Sequence, residues 1–451
     1  MCEGAFDARP CYEKQVRLSD EWKAELRARR ARVISKLEGG AMVLFGATIV
    51  HRNSDVEYDF RQTSDFLYLT GFTEPDAALV LRAEAPHFIL FVPPRDRERE
   101  IWNGRRAGVE GALADFDADV AHSFEELAEH LPNYLENVPS VWSEFRPPDL
   151  IDRRLTKALF AVQGRRRKRV NAPTAVRDSS EILTPLRLVK SEFEIDKMRK
   201  AAEATYLGHL RALRAARRGL TEFDLMRELE LGFREGGCRS TAYSSIVGAG
   251  DNATILHYRE NDAPLPDGGL VLIDAGAEFE GYACDVTRTF PVDPEFSAPE
   301  RAIYELVLRA QEAAFALCWP GKTLEEVHEA AMQVIEKGLL ELGIVPRLRG
   351  DGEKRLAERY FMHRTSHYLG LDVHDVSPPF VKGAVAPLVE GAVITVEPGI
   401  YIARDDEEVP PEYRGIGVRI EDDVWIRSEG PEVLTRAIPK TVEDLARARR
   451  V

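Results

Sequence analysis

The chain lacks the long hydrophobic runs and the positive charge excess that mark membrane and nucleic-acid-binding proteins. No stretch approaches the roughly 18 apolar residues of a membrane-spanning helix, and the opening residues MCEGAFDARP contain no apolar signal-peptide core. Asp and Glu total 76 against 61 Lys and Arg, a formal net charge of -15. Such a charge repels nucleic-acid backbones and anionic membranes, so we expect neither as a partner.

Cysteine is also scarce. The cysteines show no CxxC spacing and no even-numbered framework; they are Cys2, Cys11, Cys238, Cys284 and Cys318. Free thiols are typical of a reducing compartment, and we expect the protein to be cytoplasmic.

The composition is that of a globular protein with two or three domains: 451 residues, 44% hydrophobic and 30% charged. In residues 1–178 the apolar strands AMVLFG, DAALVLR and HFILFVP occur together with helical segments such as 21–37, which predicts a smaller, layered α/β domain. Residues 179–451 are predicted to form a second domain, which begins with a long amphipathic helix from Ser191.

A weak internal repeat runs through the second domain. Thr221 with Asp224, and Thr323 with Glu326, each have the spacing of a helix N-cap followed by an acid in the first turn. Any two capped helices share this pattern, so the repeat only favours a domain built from two related halves.

The run VLIDAGAEFEGYACDVTRTFP, residues 271–291, places Asp274 and Asp285 on what should be adjacent antiparallel strands, with a turn at Gly281. Two carboxylates directed at one point repel each other unless a cation lies between them, and a divalent metal keeps both ionised. The alternative is a pair of surface acids flanking a turn.

Three further potential ligands lie in or beside strand-like apolar runs: His367, Glu397 and Glu421. A charged residue in such a run is seldom buried without a partner. Carboxylates with one imidazole suit Mn(II), Co(II), Fe(II) or Zn(II). The set is too large for one catalytic zinc and matches two metals that share bridging carboxylates.

At this point the chain resembles the pita-bread metallopeptidases, in the aminopeptidase P (Xaa-Pro aminopeptidase) branch. The resemblance rests on LHYREND, VLIDAGAEFEGYACDVTRTFPV, FMHRTSHYLGLDVHDV, ITVEPGIYI and GIGVRIEDDV, in the family's order. The N-terminal runs RNSDVEYDFRQTSDFLYLTGFTEPDAALVL and IWNGRR extend it over nearly the whole chain. It implies a smaller α/β domain followed by a pita-bread α+β domain with pseudo-two-fold symmetry.

The resemblance also implies an activity: removal of the N-terminal residue from peptides with proline in the second position, by a hydroxide that bridges two metal ions. Asp285 and Glu421 would bridge the ions, Asp274 would complete one site, and His367 with Glu397 the other. Mn(II) is the expected metal, with Co(II) or Zn(II) as alternatives.

Five residues are implied as catalytic by the same resemblance. Glu397 would shuttle a proton as well as bind metal. His257, His363 and His374 would donate hydrogen bonds to the carbonyl oxygen and the tetrahedral intermediate. Arg419 would pair with an acid or orient a metal ligand, the alternative being a surface salt bridge.

Several alternatives stay open at this stage. A prolidase would perform the same chemistry on dipeptides only, and a peptide-binding module on the same fold would have no catalysis; methionine aminopeptidase lacks the large N-terminal domain.

Trp102 in IWNGRR matches a position that reaches a neighbouring subunit in the family, which implies a homodimer or homotetramer. Its alternative is a core aromatic residue.

Overall fold

The structure is a computed structural model, and it describes residues 18–145, 149–348 and 355–450. The chain divides into two compact units, with the division between Leu186 and Arg187. The boundary that the sequence suggests, after residue 178, precedes the helix Ser180–Leu188 in which this division falls.

The first unit is built around a six-stranded mixed sheet. The unit as a whole has eight described strands: β1 (Ala41–Phe45), β2 (His51–Asn53), β3 (Val56–Glu57), β4 (Ala78–Arg82), β5 (Phe88–Val92), β6 (Val120–Ser123), β7 (Ser140–Ser143) and β8 (Ala175–Asp178). The sheet order is β6-β5-β4-β1-β7-β8, and β2 and β3 form a separate ribbon. The helices are α1 (Asp20–Ile34), α2 (Ser64–Thr70), α3 (Arg97–Asn103), α4 (Gly108–Ala114), α5 (Leu127–Tyr134), α6 (Arg153–Gln163) and α7 (Ser180–Leu188).

The three predicted apolar strands are β1, β4 and β5, which lie side by side in the middle of this sheet. Their residues are almost all buried, which explains why the sequence shows continuous apolar runs rather than alternation. The helix expected over 21–37 is α1, which begins after the N-cap Ser19 and ends at Ile34.

The second unit contains two helix pairs and several short antiparallel sheets. Its helices are α8 (Glu192–Ala215), α9 (Glu222–Glu235), α10 (Ala298–Phe315), α11 (Leu324–Glu341) and α12 (Val442–Arg450). Its strands are β9 (Ser240–Thr241), β10 (Ile246–Ala249), β11 (Leu270–Asp274), β12 (Ala277–Phe279), β13 (Tyr282–Ala283), β14 (Thr287–Pro291), β15 (Val393–Val396), β16 (Gly399–Tyr401), β17 (Gly417–Arg419), β18 (Asp422–Trp425) and β19 (Glu432–Val433).

The two halves of this unit follow the same plan. The pair α8 and α9 precedes the sheet β10-β11-β14, and the pair α10 and α11 precedes the sheet β15-β18-β19. Reciprocal capping boxes begin the second helix of each pair, Thr221 with Asp224 and Thr323 with Glu326. Each such cap contributes about 1 kcal/mol and fixes where the helix starts.

Two surface observations bear on the sequence analysis. Trp102 on α3 is 87% exposed and its neighbour Ile101 is 80% exposed, so Trp102 is not a core residue of this chain. Over the described ranges, no helix combines the length and the hydropathy needed to cross a bilayer.

Candidate active site

Asp274 and Asp285 lie on the two arms of an antiparallel pair, as the sequence predicts. Asp274 ends β11 and pairs with Thr287 at the start of β14, so Asp285 lies just beyond the paired residues on the other arm. Gly276 allows this close approach, since a Cβ there would lie 1.7 Å from the carbonyl oxygen of Cys284. Asp285 is 5% exposed, so the alternative of two surface acids is wrong.

A second, smaller hairpin lies between these arms, and the sequence analysis did not distinguish it from the first. Strands β12 and β13 pair across Glu280 and Gly281, which have φ angles of 52° and 92°. Positive φ at both central residues gives a turn whose twist matches that of the strands. Gly281 therefore closes the short hairpin, and the two aspartates lie at its base.

Glu397 and Glu421 occupy equivalent places in the second half. The antiparallel pairing of β15 with β18 places Val396 opposite Asp422 at one end of the ladder. Glu397 directly follows Val396, and Glu421 directly precedes Asp422. The two glutamates therefore lie beside each other just past the paired residues, as the two aspartates do in the first half.

His367 is fixed by backbone contacts to β15. Its carbonyl oxygen accepts from the Thr395 amide at 2.9 Å, and its own amide donates to Thr395 Oγ1 at 3.2 Å. The ring Nε2 lies 3.4 Å from Asp285 Oδ2 and 3.6 Å from Glu397 Oε1. One potential ligand atom each of Asp285, His367 and Glu421 lies within 4.8 Å of the other two. The two halves therefore bring their predicted ligands to one place.

Tyr243 connects Asp274 to this cluster. Its hydroxyl lies 2.6 Å from Asp274 Oδ1 and 2.5 Å from Asp285 Oδ1, and a single proton can serve only one of them at a time. Burial, together with the two aspartates, raises the pKa of Tyr243 well above its usual value, so the phenol stays a donor.

The electrostatics of the cluster match a cation site. Burial, and then repulsion from Asp285, raise the pKa of Glu421 well above its usual value. Burial also raises the pKa of Asp274. It raises the pKa of Glu397 to about 7, although the charge of His367 acts in the opposite direction. Burial opposes charge on His367, but Asp285 outweighs it and raises the pKa to about 9. Burial and mutual repulsion therefore disfavour the ionised forms of these carboxylates, and a divalent ion would compensate their charge.

Arg419 is buried beside the cluster, 3% exposed, and the alternative of a surface salt bridge is wrong. Its Nη2 lies 2.5 Å from Asp274 Oδ2, its Nε donates to Thr287 Oγ1 at 3.0 Å, and its Nη1 donates to the Tyr401 hydroxyl at 2.8 Å. Thr287 in turn donates to Glu421 Oε2 at 2.7 Å. One guanidinium thus orients acids from both halves.

His363 continues this chain of hydrogen bonds. Its Nδ1 lies 2.8 Å from the Arg364 carbonyl oxygen, which can only accept, so Nδ1 carries the proton. Its Nε2 then accepts from the Tyr401 hydroxyl at 2.8 Å. Burial, with the charge of Arg419, lowers the pKa of His363 to about 3, so the ring is neutral.

The other two predicted histidines lie on the open side of the cluster. The ring of His374 packs edge-on against His367 at 4.5 Å between centroids. His257 is exposed, and its charge helps to lower the pKa of His374 after burial and His367. His374 is therefore within electrostatic reach of Asp285 and Asp274, and His257 lies near His363 and His374.

Four hydroxyl groups that support the cluster were not predicted from the sequence: Tyr243, Thr287, Thr395 and Tyr401. Thr287 and Thr395 are two residues from Asp285 and Glu397 in extended segments, so alternation places them on the same face as these acids. That periodicity could have identified both. Tyr243 precedes β10 outside every motif, and its contact depends on the strand register.

A buried ion network lies directly behind Glu421. Asp422 is fully buried and accepts from Arg288 Nη2 and from Lys440 Nζ, both at 2.7 Å. Thr435 Oγ1 and Gln311 Nε2 complete its hydrogen bonds at 2.7 and 3.1 Å. All the acceptor capacity of this carboxylate is used, which is the condition under which a buried charge is tolerated.

Arg288 connects this network to the C-terminal segment. It donates to the carbonyl oxygens of Glu421 at 2.6 Å, and of Ile438 and Pro439 at 3.0 Å each. The backbone position of Glu421 therefore depends on residues that follow it in the chain.

Asp422 stabilises the fold only while it is ionised. Burial alone would raise its pKa, but Arg288 and Lys440 outweigh burial and lower it from 3.8 to about 2. Because the folded pKa lies below the unfolded one, the stabilisation is fully present above about pH 4 and is lost as the pH falls toward 2.

Replacing Asp422 with Ala is expected to lower the free energy of unfolding by about 3–5 kcal/mol, since it leaves two cations without their buried partner. Denaturant unfolding at neutral pH measures this free energy. The difference in free energy of unfolding between the wild type and the variant should become smaller below about pH 4, where Asp422 begins to take up a proton. Glu305→Ala, which removes an exposed helical ion pair with Arg301, is the control and should cost no more than about 0.5 kcal/mol. Equal losses in both variants contradict the prediction.

Two family models match the chain in the order of its two units. "Aminopeptidase P, N-terminal domain" matches residues 26–142, and "Metallopeptidase family M24" matches residues 196–428. The second match covers the helix pairs and all five predicted metal ligands.

Whole-chain relatives agree with these matches. The chain is 41% identical over 430 residues to a Xaa-Pro aminopeptidase of Haemophilus influenzae, covering 94% of this chain and 96% of the relative. It is 40% identical over 439 residues to the Escherichia coli Xaa-Pro aminopeptidase, covering 95% and 98%. The solved structure of Pseudomonas aeruginosa aminopeptidase PepP superposes with a TM-score of 0.91 at 43% identity, covering 96% and 99%. The chain is therefore a metal-dependent aminopeptidase, a hydrolase of peptides, and it belongs to the aminopeptidase P family.

Proposed function

We propose that the protein removes the N-terminal residue from peptides that have proline in the second position. The observation that carries this proposal is the convergence of four carboxylates and one imidazole from both halves of the second unit. The substrate class is supported by the relatives named Xaa-Pro aminopeptidase, which match nearly the full chain.

The donor set fits two hard or borderline divalent cations. We infer that Asp285 and Glu421 would be the ligands shared by the two ions, that Asp274 would complete one site, and that His367 and Glu397 would complete the other. When bound, the ions would supply a hydroxide nucleophile at neutral pH and polarise the scissile carbonyl. Mn(II) is proposed because oxygen ligands predominate, with Co(II) and Zn(II) as alternatives; elemental analysis of the native protein tests this.

Glu397 is proposed to move the proton. Its Oε1 lies 3.6 Å from His367 Nε2, so it borders the ligand cluster in which the attacking water would be held. A carboxylate in that position can take a proton from the water and release it again. Thr395 Oγ1 lies 3.4 Å from Glu397 Oε1 and limits its rotation. The proton would then pass to the proline nitrogen as the bond breaks.

The three predicted histidines are proposed to have different roles. Both ring nitrogens of His363 are engaged by Arg364 and Tyr401, so we infer that it holds the wall of the site in place. His257 and His374 are then the proposed donors to the carbonyl oxygen as negative charge develops on it. Arg419 is proposed to keep Asp274 ionised and oriented.

Ala-Pro-Ala is expected to be cleaved at the Ala-Pro bond with a kcat/KM at least comparable to that for Ala-Pro. An aminopeptidase leaves the groove beyond proline open, whereas a dipeptidase needs a cation there and a wall. Initial rates at identical Mn(II) content measure kcat/KM for Ala-Pro-Ala and for Ala-Pro. N-acetylated Ala-Pro-Ala is the control and should not be cleaved. Strong preference for Ala-Pro would assign the chain to prolidase.

The protein is further proposed to be a cytoplasmic homodimer or homotetramer. Exposed Ile101 and Trp102 on α3 support an association that covers them. The free, buried thiols of Cys238, Cys284 and Cys318 support a reducing compartment. Sedimentation velocity of the purified protein measures the oligomeric state, and a monomer would oppose this proposal.

A further inference from the structure

A second group of metal-ligating side chains lies in the first unit, far in sequence from the five predicted metal ligands. His122 is near the end of β6, Glu126 lies in the single turn of 3-10 helix that follows, and His130 is on α5. One potential ligand atom of each lies within 4.8 Å of the other two. The regular spacing of four residues brings all three to one face of the β6–α5 connection.

The two imidazoles are held by an aromatic stack. Their ring centroids are 4.1 Å apart with an interplanar angle of 12°. The ring of Phe91 also stacks on His122, at 5.2 Å between centroids. Because Phe91 belongs to β5, His122 is backed by the sheet, and His130 extends the stack from α5.

The remaining contacts leave donor atoms for a cation. The Nε2 of His122 lies 2.6 Å from the Tyr134 hydroxyl, and ligating histidines commonly make such a bond through the other ring nitrogen. Glu126 Oε2 accepts from the Ser123 amide at 3.2 Å, which leaves Oε1 for an ion.

We propose that His122, Glu126 and His130 form a divalent transition-metal site that takes Zn(II), with water completing the coordination. Two imidazoles and one carboxylate are a common zinc donor set. His122 keeps its place against Phe91 and its bond to Tyr134, and His130, which is partly exposed, turns out of the stack so that its nitrogen converges with that of His122 on one ion. The site is independent of the proposed peptidase function.

Equilibrium dialysis of the full-length protein against Zn(II), followed by elemental analysis, tests this site. His130→Ala is expected to bind one zinc ion fewer per chain than the wild type, while peptide cleavage is retained. His87→Ala is the matched control, since His87 is an exposed histidine of the same unit, and it should bind as the wild type does. Tyr134→Phe should weaken the same site about tenfold or more and leave its stoichiometry at saturation unchanged.

Zinc taken up by the peptidase centre is common to all these proteins and cancels in the comparison. Circular dichroism confirms that each variant is folded before dialysis. Identical zinc isotherms for the wild type, His130→Ala and Tyr134→Phe would overturn the proposal.

Discussion

Replacing Glu397 with Gln is expected to lower kcat for Xaa-Pro cleavage by about a hundredfold or more. The amide keeps the shape of the side chain but cannot accept a proton, and it is a weaker ligand for a hard cation. Because the proton is transferred in the transition state, the loss should fall mainly on kcat. Steady-state kinetics on Ala-Pro-Ala, with the metal content measured in parallel, provides the test.

Glu407→Gln is the matched control for this substitution. It makes the same chemical change at an exposed glutamate a few residues downstream, and both kinetic parameters should stay at wild-type values. His257→Ala should lower kcat with little loss of metal, because its proposed contact forms only to the developing oxyanion. If Glu397→Gln retains wild-type kcat with full metal content, Glu397 is not the proton carrier.

Exhaustive chelation is expected to abolish cleavage, and Mn(II) should restore it. Without a divalent ion nothing in the cluster lowers the pKa of a water molecule, so it cannot supply hydroxide at neutral pH. The chelated protein should also melt at a lower temperature, since an ion that binds only the folded state stabilises it by mass action. Activity and melting temperature are both measured against metal content.

The control for chelation is a mock-treated sample passed through the same buffers without chelator. Asp285→Ala should lack activity as the chelated protein does, with no recovery on adding Mn(II), because it removes a carboxylate at the centre of the cluster that would hold the ions. Full activity at negligible metal content would contradict the assignment of the whole cluster.

The predicted ligands could be found from the sequence because most of them interrupt or end an apolar strand. Asp274 and Asp285 flank a glycine-containing turn, so a hairpin brings them together. Glu397 and Glu421 each adjoin one of two strands that pair. His367 has the weakest local signal, since it lies in neither a helix nor a strand and its position depends on long-range contacts with β15, such as those to Thr395.

The residues that support the ligands were harder to predict from the sequence, because their contacts depend on how distant strands pair. Asp422 follows Glu421 in a run of three acids that looks like a solvated patch, yet it is fully buried because Arg288 and Lys440 neutralise it. Arg288 lies on a strand whose neighbours are known only after the two halves pack. Tyr243 likewise reaches Asp274 only once β10 has paired with β11.

Because the chain is synthesised from its N-terminus, the hydrogen bonds of Arg288 determine when the ligand cluster can become stable. All five predicted ligands are synthesised by residue 421, but the hydrogen bonds behind Glu421 are complete only when Ile438, Pro439 and Lys440 join them. A nascent chain that stalls before Ile438 therefore carries every ligand, but Asp422 lacks one of its two cationic partners and Arg288 lacks two of its carbonyl acceptors. Premature stop codons between Glu421 and Lys440 should yield protein that proteases degrade, although no residue of the active site is missing.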